Sequence, residues 1–133
     1  LTPENSRRLR ALPAWFTLKA YGSNGYQEIV ERNCSLAEAL SKKIEESKNF
    51  KLLSDTRLNV VCFTINLGDH SATLEEIQQF LKIVNEDGRA FFTQTVYKGM
   101  PGIRAAISNW RTEEKDMEIA WEVLNKAYKF YLR

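Results

Sequence analysis

Arg104 is the residue of this sequence whose type and placement best suit the binding of an anion. It lies in the run Gly-Ile-Arg-Ala-Ala-Ile-Ser-Asn, close after Gly99, Pro101 and Gly102. Glycine and proline crowded in this way predict a turn, so the chain is expected to double back here as a β-hairpin. Because a guanidinium presents five donors in a planar fork, Arg104 could bind a carboxylate or a phosphate.

The alternation of the second strand of this hairpin indicates where Arg104 points. Successive side chains lie on opposite faces of a strand, so one face is predicted to be apolar, with Ile103, Ala105 and Ile107. Arg104 lies on the other face, where its neighbours Ala106 and Ser108 are small and leave room for a bound group. On the pattern alone, a solvated arginine or half of a surface ion pair is the commoner case.

The same region carries a family resemblance. The run Gly-Ile-Arg-Ala-Ala-Ile-Ser-Asn-Trp-Arg-Thr-Glu-Glu-Lys-Asp-Met resembles the C-terminal signature of the pyridoxal-phosphate-dependent group II amino-acid decarboxylases, the aromatic-L-amino-acid and glutamate decarboxylase type. Two earlier blocks, Ser6 to Gly22 and Leu58 to Asn66, are similar to the same enzymes in the same order. The resemblance covers nearly the whole chain. It implies that Arg104 lies on a small-domain strand that faces the active-site cleft and binds a substrate carboxylate.

The resemblance also implies what the chain lacks. In this family, the lysine that bonds to pyridoxal 5'-phosphate, the acid at the ring nitrogen and the phosphate donors lie in a large upstream domain. No lysine of this sequence lies in the family's cofactor-lysine motif. We therefore expect no cofactor-binding and no catalytic residue in this chain, which would be inactive alone. The whole enzyme would be a homodimer that decarboxylates an L-amino acid.

Composition restricts the other possibilities. With 133 residues, of which 44% are hydrophobic, the chain is predicted to be one domain, residues 1–133. The net charge of +2 comes from mixed charges without a basic stripe, which argues against nucleic-acid or membrane-surface binding. No apolar run approaches a membrane span of about 18 residues, so a soluble cytoplasmic protein is expected. Because the sequence starts at Leu1, we expect a piece of a longer polypeptide in which residues 1–22 lead from the large domain.

Four segments predict helices. The first is capped by Ser6, interrupted at Pro13 and ended by Gly22, with apolar positions Leu9, Leu12 and Phe16. The second opens at Ser23-Asn24-Gly25 and has a stripe of Tyr26, Ile29, Val30, Asn33, Ala37, Leu40 and Ile44. The third has a capping box, Thr73 with Glu76, ends at Asp87-Gly88 and would bury Ile77, Phe80, Leu81 and Val84. The fourth is capped by Thr112 and would bury Met117, Ala120, Trp121, Leu124 and Tyr128.

Four further runs predict strands: Phe50 to Leu53, Leu58 to Asn66, Ala90 to Tyr97 and Ile103 to Ser108. The second is the most apolar, so it should be central and covered on both faces for part of its length. Four short strands among amphipathic helices predict an α+β domain, a mainly antiparallel four-stranded sheet with helices on one side. The resemblance implies the small C-terminal domain of fold-type I pyridoxal-phosphate enzymes.

The remaining candidate residues show no pattern typical of a site. His70 is the only histidine, and no second histidine, carboxylate triad or cysteine lies at ligand spacing, so an exposed loop residue is expected rather than a metal ligand or general base. Cys34 and Cys62 lack the Cys-x-x-Cys spacing and are predicted to be buried free thiols. No metal site is expected.

Two other functions stay open. A free-standing module could use the sheet face around Arg104 to bind a small anionic metabolite, and it would do so stoichiometrically. A nucleic-acid-binding α+β domain is less favoured, because the predicted strands lack exposed aromatic pairs in a basic surround. Which amino acid the enzyme would take also stays open. Arg104 could meet its α-carboxylate, a side-chain carboxylate or another residue.

Overall fold

The computed structural model describes residues 11–132. Its elements follow one another in the order α1 (Ala11–Glu45), β1 (Phe50–Leu52), β2 (Val60–Ile65), α2 (Leu74–Asp87), β3 (Thr93–Tyr97), β4 (Met100–Ala106) and α3 (Glu114–Tyr131). This order confirms the predicted α+β fold. The chain divides into two compact units, one ending at Arg32 and one beginning at Asn33. That residues 1–133 make a single domain stays a prediction.

Helix α1 is broken at Gly22, where the sequence predicts a helix end. The backbone there has φ 67° and ψ −175°, a conformation outside the helical region that glycine adopts without strain. The predicted cap Ser6 and the apolar Leu9 lie outside the described residues. The predicted interruption at Pro13 is not seen within the described residues, because α1 runs through this position.

The second half of α1 buries its predicted stripe only from Asn33 onward. Its buried residues are Asn33, Leu36, Ala37, Leu40, Ser41 and Ile44. Tyr26 and Val30, which belong to the predicted stripe, are exposed. They belong to the first compact unit, which is too short to build a core of its own. Its exposed apolar side chains are Leu12, Trp15, Phe16, Leu18, Tyr21, Tyr26 and Val30.

The four strands form one antiparallel sheet in the order β1-β2-β4-β3. Strand β2 is central, as predicted, but it is not covered on both faces. Its buried residues alternate with exposed or half-buried ones, which are Val60, Cys62 and Thr64. The alternation arises because the helices cover one face of the sheet. Buried side chains of β2 and β4 and of all three helices form a single apolar core on that side.

Phe50, at the start of β1, is the centre of an aromatic cluster in this core. Its ring centroid lies 5.8 Å from that of Phe63, 6.2 Å from that of Phe80, 5.7 Å from that of Trp121 and 5.5 Å from that of Tyr128. The cluster therefore joins two strands to α2 and α3. Of the α3 residues predicted to be buried, Ala120, Leu124 and Tyr128 are buried, and Met117 and Trp121 are partly buried. Val123 and Ala127 are also buried, which the sequence analysis did not predict.

The hairpin predicted before Arg104 is present, but its turn lies earlier than expected. Lys98 and Gly99 form a two-residue loop with φ 49° and 81°. Positive φ at both positions matches the twist of the flanking strands. Pro101 and Gly102, predicted in the turn, lie inside β4. Pro101 is tolerated because β4 pairs there with β3 alone, the β2 register ending at the pair Phe63–Ile103.

Local hydrogen bonds set the helix ends. The capping box of α2 is confirmed, since Thr73 Oγ1 accepts from the Glu76 N–H at 3.3 Å and Glu76 Oε2 accepts from the Thr73 N–H at 2.8 Å. The predicted cap Thr112 is wrong, because α3 is capped one residue later. There Asp116 Oδ2 accepts from the Glu113 N–H at 2.9 Å, which satisfies that donor.

Strands β1, β2 and β3 are shorter than predicted, and β4 is shifted toward the N-terminus. Strand β3 begins at Thr93 instead of Ala90, because the backbone of Phe92 bonds to the Asn85 side chain through both its N–H and its carbonyl. Strand β4 ends at Ala106 instead of Ser108. The carbonyl of Ile107 accepts from the side chain of Asn59.

Candidate functional site

Arg104 lies near the end of β4 and is exposed, on the face of the sheet that the helices leave open. Ile103 and Ala105 on either side of it are buried, which confirms the predicted alternation. The register places Cys62 of β2 and Thr93 of β3 directly opposite Arg104, one on each side. The side chain therefore rises from the middle of the sheet, between two short uncharged neighbours.

The open face of the sheet is cationic. We call it the outer sheet face, and define it by alternation and register as Lys51, Val60, Cys62, Thr64, Thr93, Thr95, Tyr97, Met100, Gly102, Arg104 and Ala106. It has two cations and no acidic residue. Within residues 11–132, no side chain accepts a hydrogen bond from the Arg104 guanidinium or pairs with it. Its five donors are therefore available to a carboxylate or phosphate from outside this part of the chain.

The strand itself leaves little side-chain bulk beside Arg104. Ala106 follows it on the same face, and Gly102 precedes it. A Cβ atom on Gly102 would overlap Leu53 Cδ1 and would lie 2.7 Å from the carbonyl oxygen of Phe63. Leu53 therefore lies over Gly102, and only glycine fits beneath it. Along its strand, Arg104 is therefore flanked on this face by a glycine that Leu53 overlies and by the small Ala106.

The two cysteines are free, as predicted, but neither is fully buried. Cys34 lies on α1 and Cys62 on the outer sheet face, and both are partly exposed. The prediction of burial is wrong for Cys62 because the helices cover the opposite face of β2. No group of histidine, cysteine and acidic side chains within the described range could hold a metal ion. None of the helices in that range is long and apolar enough to cross a membrane.

His70 is exposed in its loop, as predicted, but it lies between two carboxylates that the sequence analysis did not connect with it. Its Nδ1 lies 2.6 Å from Asp69 Oδ1, and its Nε2 lies 2.9 Å from Glu76 Oε1. A carboxylate can only accept, so both ring nitrogens donate only when the imidazole is protonated. The bond to Glu76, and then that to Asp69, raises the pKa of His70. The sequence offered one indication of this pairing, Glu76, which lies six residues after His70 in the first turn of a capped helix.

We expect His70 to titrate above the ordinary imidazole pKa of 6.5. Its pairing stabilises the folded chain fully below the unfolded-state pKa, and this contribution is lost as the pH rises through the raised folded-state pKa. An NMR titration of the ring protons measures the midpoint directly. Glu76→Gln should lower that midpoint more than Asp69→Asn does. A midpoint at or below 6.5 in the unaltered chain would contradict the pairing.

A second charged cluster links α2 to α3. Asp87 accepts from Arg89 at 2.6 Å and from Lys126 at 3.1 Å, and Arg89 also donates to Glu122 at 3.2 Å. The bond from Arg89, and then that from Lys126, holds the pKa of Asp87 well below its usual range. All four charges have partners, so the cluster is a structural link on the helical side, away from Arg104.

Comparison with known proteins identifies relatives of this chain. The family model described as "Pyridoxal-dependent decarboxylase conserved domain" matches residues 3–66. Tyrosine decarboxylase 2 of Arabidopsis thaliana is 30% identical over 128 residues, which are 94% of this chain and 24% of the relative. Phenylacetaldehyde synthase of a Rosa hybrid cultivar is 29% identical, over 90% of this chain and 25% of the relative. The chain thus spans about a quarter of the length of these relatives.

The fold agrees with a solved structure of the same type. The crystal structure of Oryza sativa TDC with PLP and tryptamine superposes with a TM-score of 0.82 at 25% identity, covering 96% of this chain and 28% of that chain. The predicted small-domain fold of the fold-type I decarboxylases is thereby confirmed, and so is the family resemblance seen in the sequence. These matches support the identification of this chain as a domain of the pyridoxal-phosphate-dependent group II decarboxylase type.

Proposed function

We propose that this chain is the C-terminal domain of a pyridoxal-phosphate-dependent L-amino-acid decarboxylase, in which it forms one wall of the active-site cleft. Arg104 would bind a carboxylate of the substrate. The observation that carries this role is an exposed guanidinium that has no partner among residues 11–132, on a sheet face without an acidic residue. Covering such a face with the rest of the enzyme would remove water and strengthen the attraction between Arg104 and a carboxylate.

The described residues do not themselves fit pyridoxal phosphate. A lysine that bonds to it must be deprotonated near neutral pH, which requires burial or a nearby cation. No lysine in residues 11–132 is buried. Lys115 instead pairs with Glu113, which raises the pKa of its ammonium group. In our proposal the cofactor, which stabilises the electron pair left by the departing carboxylate, is therefore held by another part of the polypeptide.

The same proposal includes the partners of the chain. Residues 11–30 expose several large apolar side chains, which is typical of a surface that another part of the protein covers. This exposure fits contact with a large cofactor-binding domain. The relatives are about four times as long as the region matched, which leaves room for such a domain. A cytoplasmic homodimer with an amino-acid substrate completes the proposal.

Expression of the complete polypeptide tests this function. We expect it to release carbon dioxide from at least one L-amino acid when pyridoxal phosphate is present. Product analysis distinguishes an amine, as in a tyrosine decarboxylase, from an aldehyde, as in a phenylacetaldehyde synthase. The 133-residue chain alone should release none and should form no borohydride-trappable adduct at a single lysine. Such an adduct, or stoichiometric binding of an anionic metabolite by the isolated chain, would contradict the proposal and favour a separate binding module.

A further inference from the structure

Thr64 has a hydroxyl group without a hydrogen-bond partner. Its Oγ1 atom is buried, and no residue of the described chain donates to it or accepts from it. A buried hydroxyl left unpaired costs about 1–3 kcal/mol of stability, so a valine of the same shape would be the more stable choice at this position. The hydroxyl therefore needs a partner that residues 11–132 do not supply.

The position of Thr64 indicates what that partner is. Cys62 lies opposite Arg104, and Thr64 follows it by two residues on the same face of β2. Thr64 and Arg104 are thus diagonal neighbours on adjacent strands, a separation that a long side chain can bridge. A carboxylate bound to Arg104 keeps lone pairs that can accept a further hydrogen bond. The Thr64 hydroxyl is a donor of the right kind close to that carboxylate.

The strand register places the Leu53 side chain close to Thr64. Extending the β2–β4 register by one residue places Thr64 beside Gly102, and Leu53 lies over Gly102. Leu53 follows the last residue of the edge strand β1 and is half buried. If Leu53 covers the Thr64 hydroxyl, a change of the Leu53 rotamer uncovers it while the backbone stays in place.

We propose that Thr64 is a second carboxylate-binding residue of the Arg104 site, uncovered when the substrate displaces the Leu53 side chain. This inference rests on the proposed function, because it needs a carboxylate at Arg104. The unpaired hydroxyl is then a cost to the stability of the free chain that is recovered when substrate binds. The residue determines how tightly the carboxylate is held.

The experiment compares three variants in the complete enzyme. Thr64→Val should lower kcat/KM about tenfold, mainly through KM, as expected for the loss of a hydrogen bond to a charged group. Its melting temperature should be equal to or higher than that of the unaltered enzyme. Thr64→Ser keeps the hydroxyl and should stay within about twofold in kcat/KM. Thr95→Val is the matched control, a threonine diagonal to Arg104 on the other neighbouring strand, and should also stay within about twofold.

A double variant that combines Thr64→Val with Arg104→Gln separates the role of Thr64 from that of Arg104. If both residues hold the same carboxylate, Thr64→Val should cause little further loss when Arg104 is already replaced. If Arg104→Gln impairs the enzyme and Thr64→Val does not, the role of Thr64 is wrong while the proposed function stands. If neither variant changes kcat/KM, the role of Arg104 fails as well. A lower melting temperature for Thr64→Val would show that the hydroxyl has a structural partner elsewhere in the enzyme, and would overturn the inference.

Discussion

Replacing Arg104 by glutamine in the complete enzyme is expected to lower kcat/KM about ten- to a hundredfold. This range corresponds to the loss of charge-assisted hydrogen bonds worth about 1.5–3 kcal/mol in a cleft with little water. Arg104→Lys should recover only part of the loss, because an ammonium group cannot reproduce the two-pronged geometry of a guanidinium. Steady-state kinetics with the best substrate measures both effects.

The control for Arg104 is a second arginine of the same chain. Arg57 is exposed in the turn before β2, and Arg57→Gln should change kcat/KM less than about twofold. Melting temperatures of all variants show whether folding is affected. If Arg104→Gln and Arg104→Lys both keep nearly full activity, Arg104 is a solvated surface residue and the domain is a purely structural wall.

Phe50→Ala is expected to have the largest effect on stability. The ring is 3% exposed and contacts four other aromatic rings, so its removal leaves a cavity between the sheet and two helices. Phenylalanine-to-alanine changes at such positions lower the free energy of unfolding by about 3–5 kcal/mol. Denaturant unfolding of the chain, followed by circular dichroism, measures this loss.

The chain offers a matched control for Phe50. Phe91 is 77% exposed, so Phe91→Ala removes the same side chain from a site that water already reaches. Its effect should stay within about 0.5 kcal/mol. A loss below about 1 kcal/mol for Phe50→Ala would show that the surrounding residues collapse into the space, and that the aromatic cluster does not hold the layers together.

Helix α2 shows what was predictable from the sequence. The cap Thr73, the reciprocal Glu76 and the terminal Gly88 lie within one segment, and their bonds join residues three or four positions apart. The start of α2, its buried residues and its end at Gly88 were therefore all predicted. The direction of Arg104 was predictable for the same reason, since alternation along one strand is a local property.

The errors arise where distant parts of the chain meet. The cap of α3 is an exception, because its box of Glu113 and Asp116 is local and was misplaced by one residue. The early end of β4 and the late start of β3 depend on the side chains of Asn59 and Asn85, residues outside the strands themselves. Periodicity cannot reveal such partners, because it describes each segment separately.

The surroundings of Arg104 were also beyond sequence reasoning. Cys62 lies 42 positions earlier in the chain, and its place opposite Arg104 follows from the strand order and from the turn at Lys98 and Gly99. A turn placed at Pro101 and Gly102 gives another register. The contact of Leu53 with Gly102 depends on the same register, so neither it nor the unpaired hydroxyl of Thr64 could be foreseen.

The strand order also bears on how the chain folds. Strands β1 and β2, and strands β3 and β4, are pairs of sequence neighbours that can form early as hairpins. The seam between β2 and β4 must wait until the intervening helix has brought the two hairpins together. Until then, the edges of β2 and β4 that later pair in the centre of the sheet are exposed to other molecules. Arg104 lies on one of these edges, and a charged side chain on an unpaired strand edge opposes edge-to-edge association before any ligand binds.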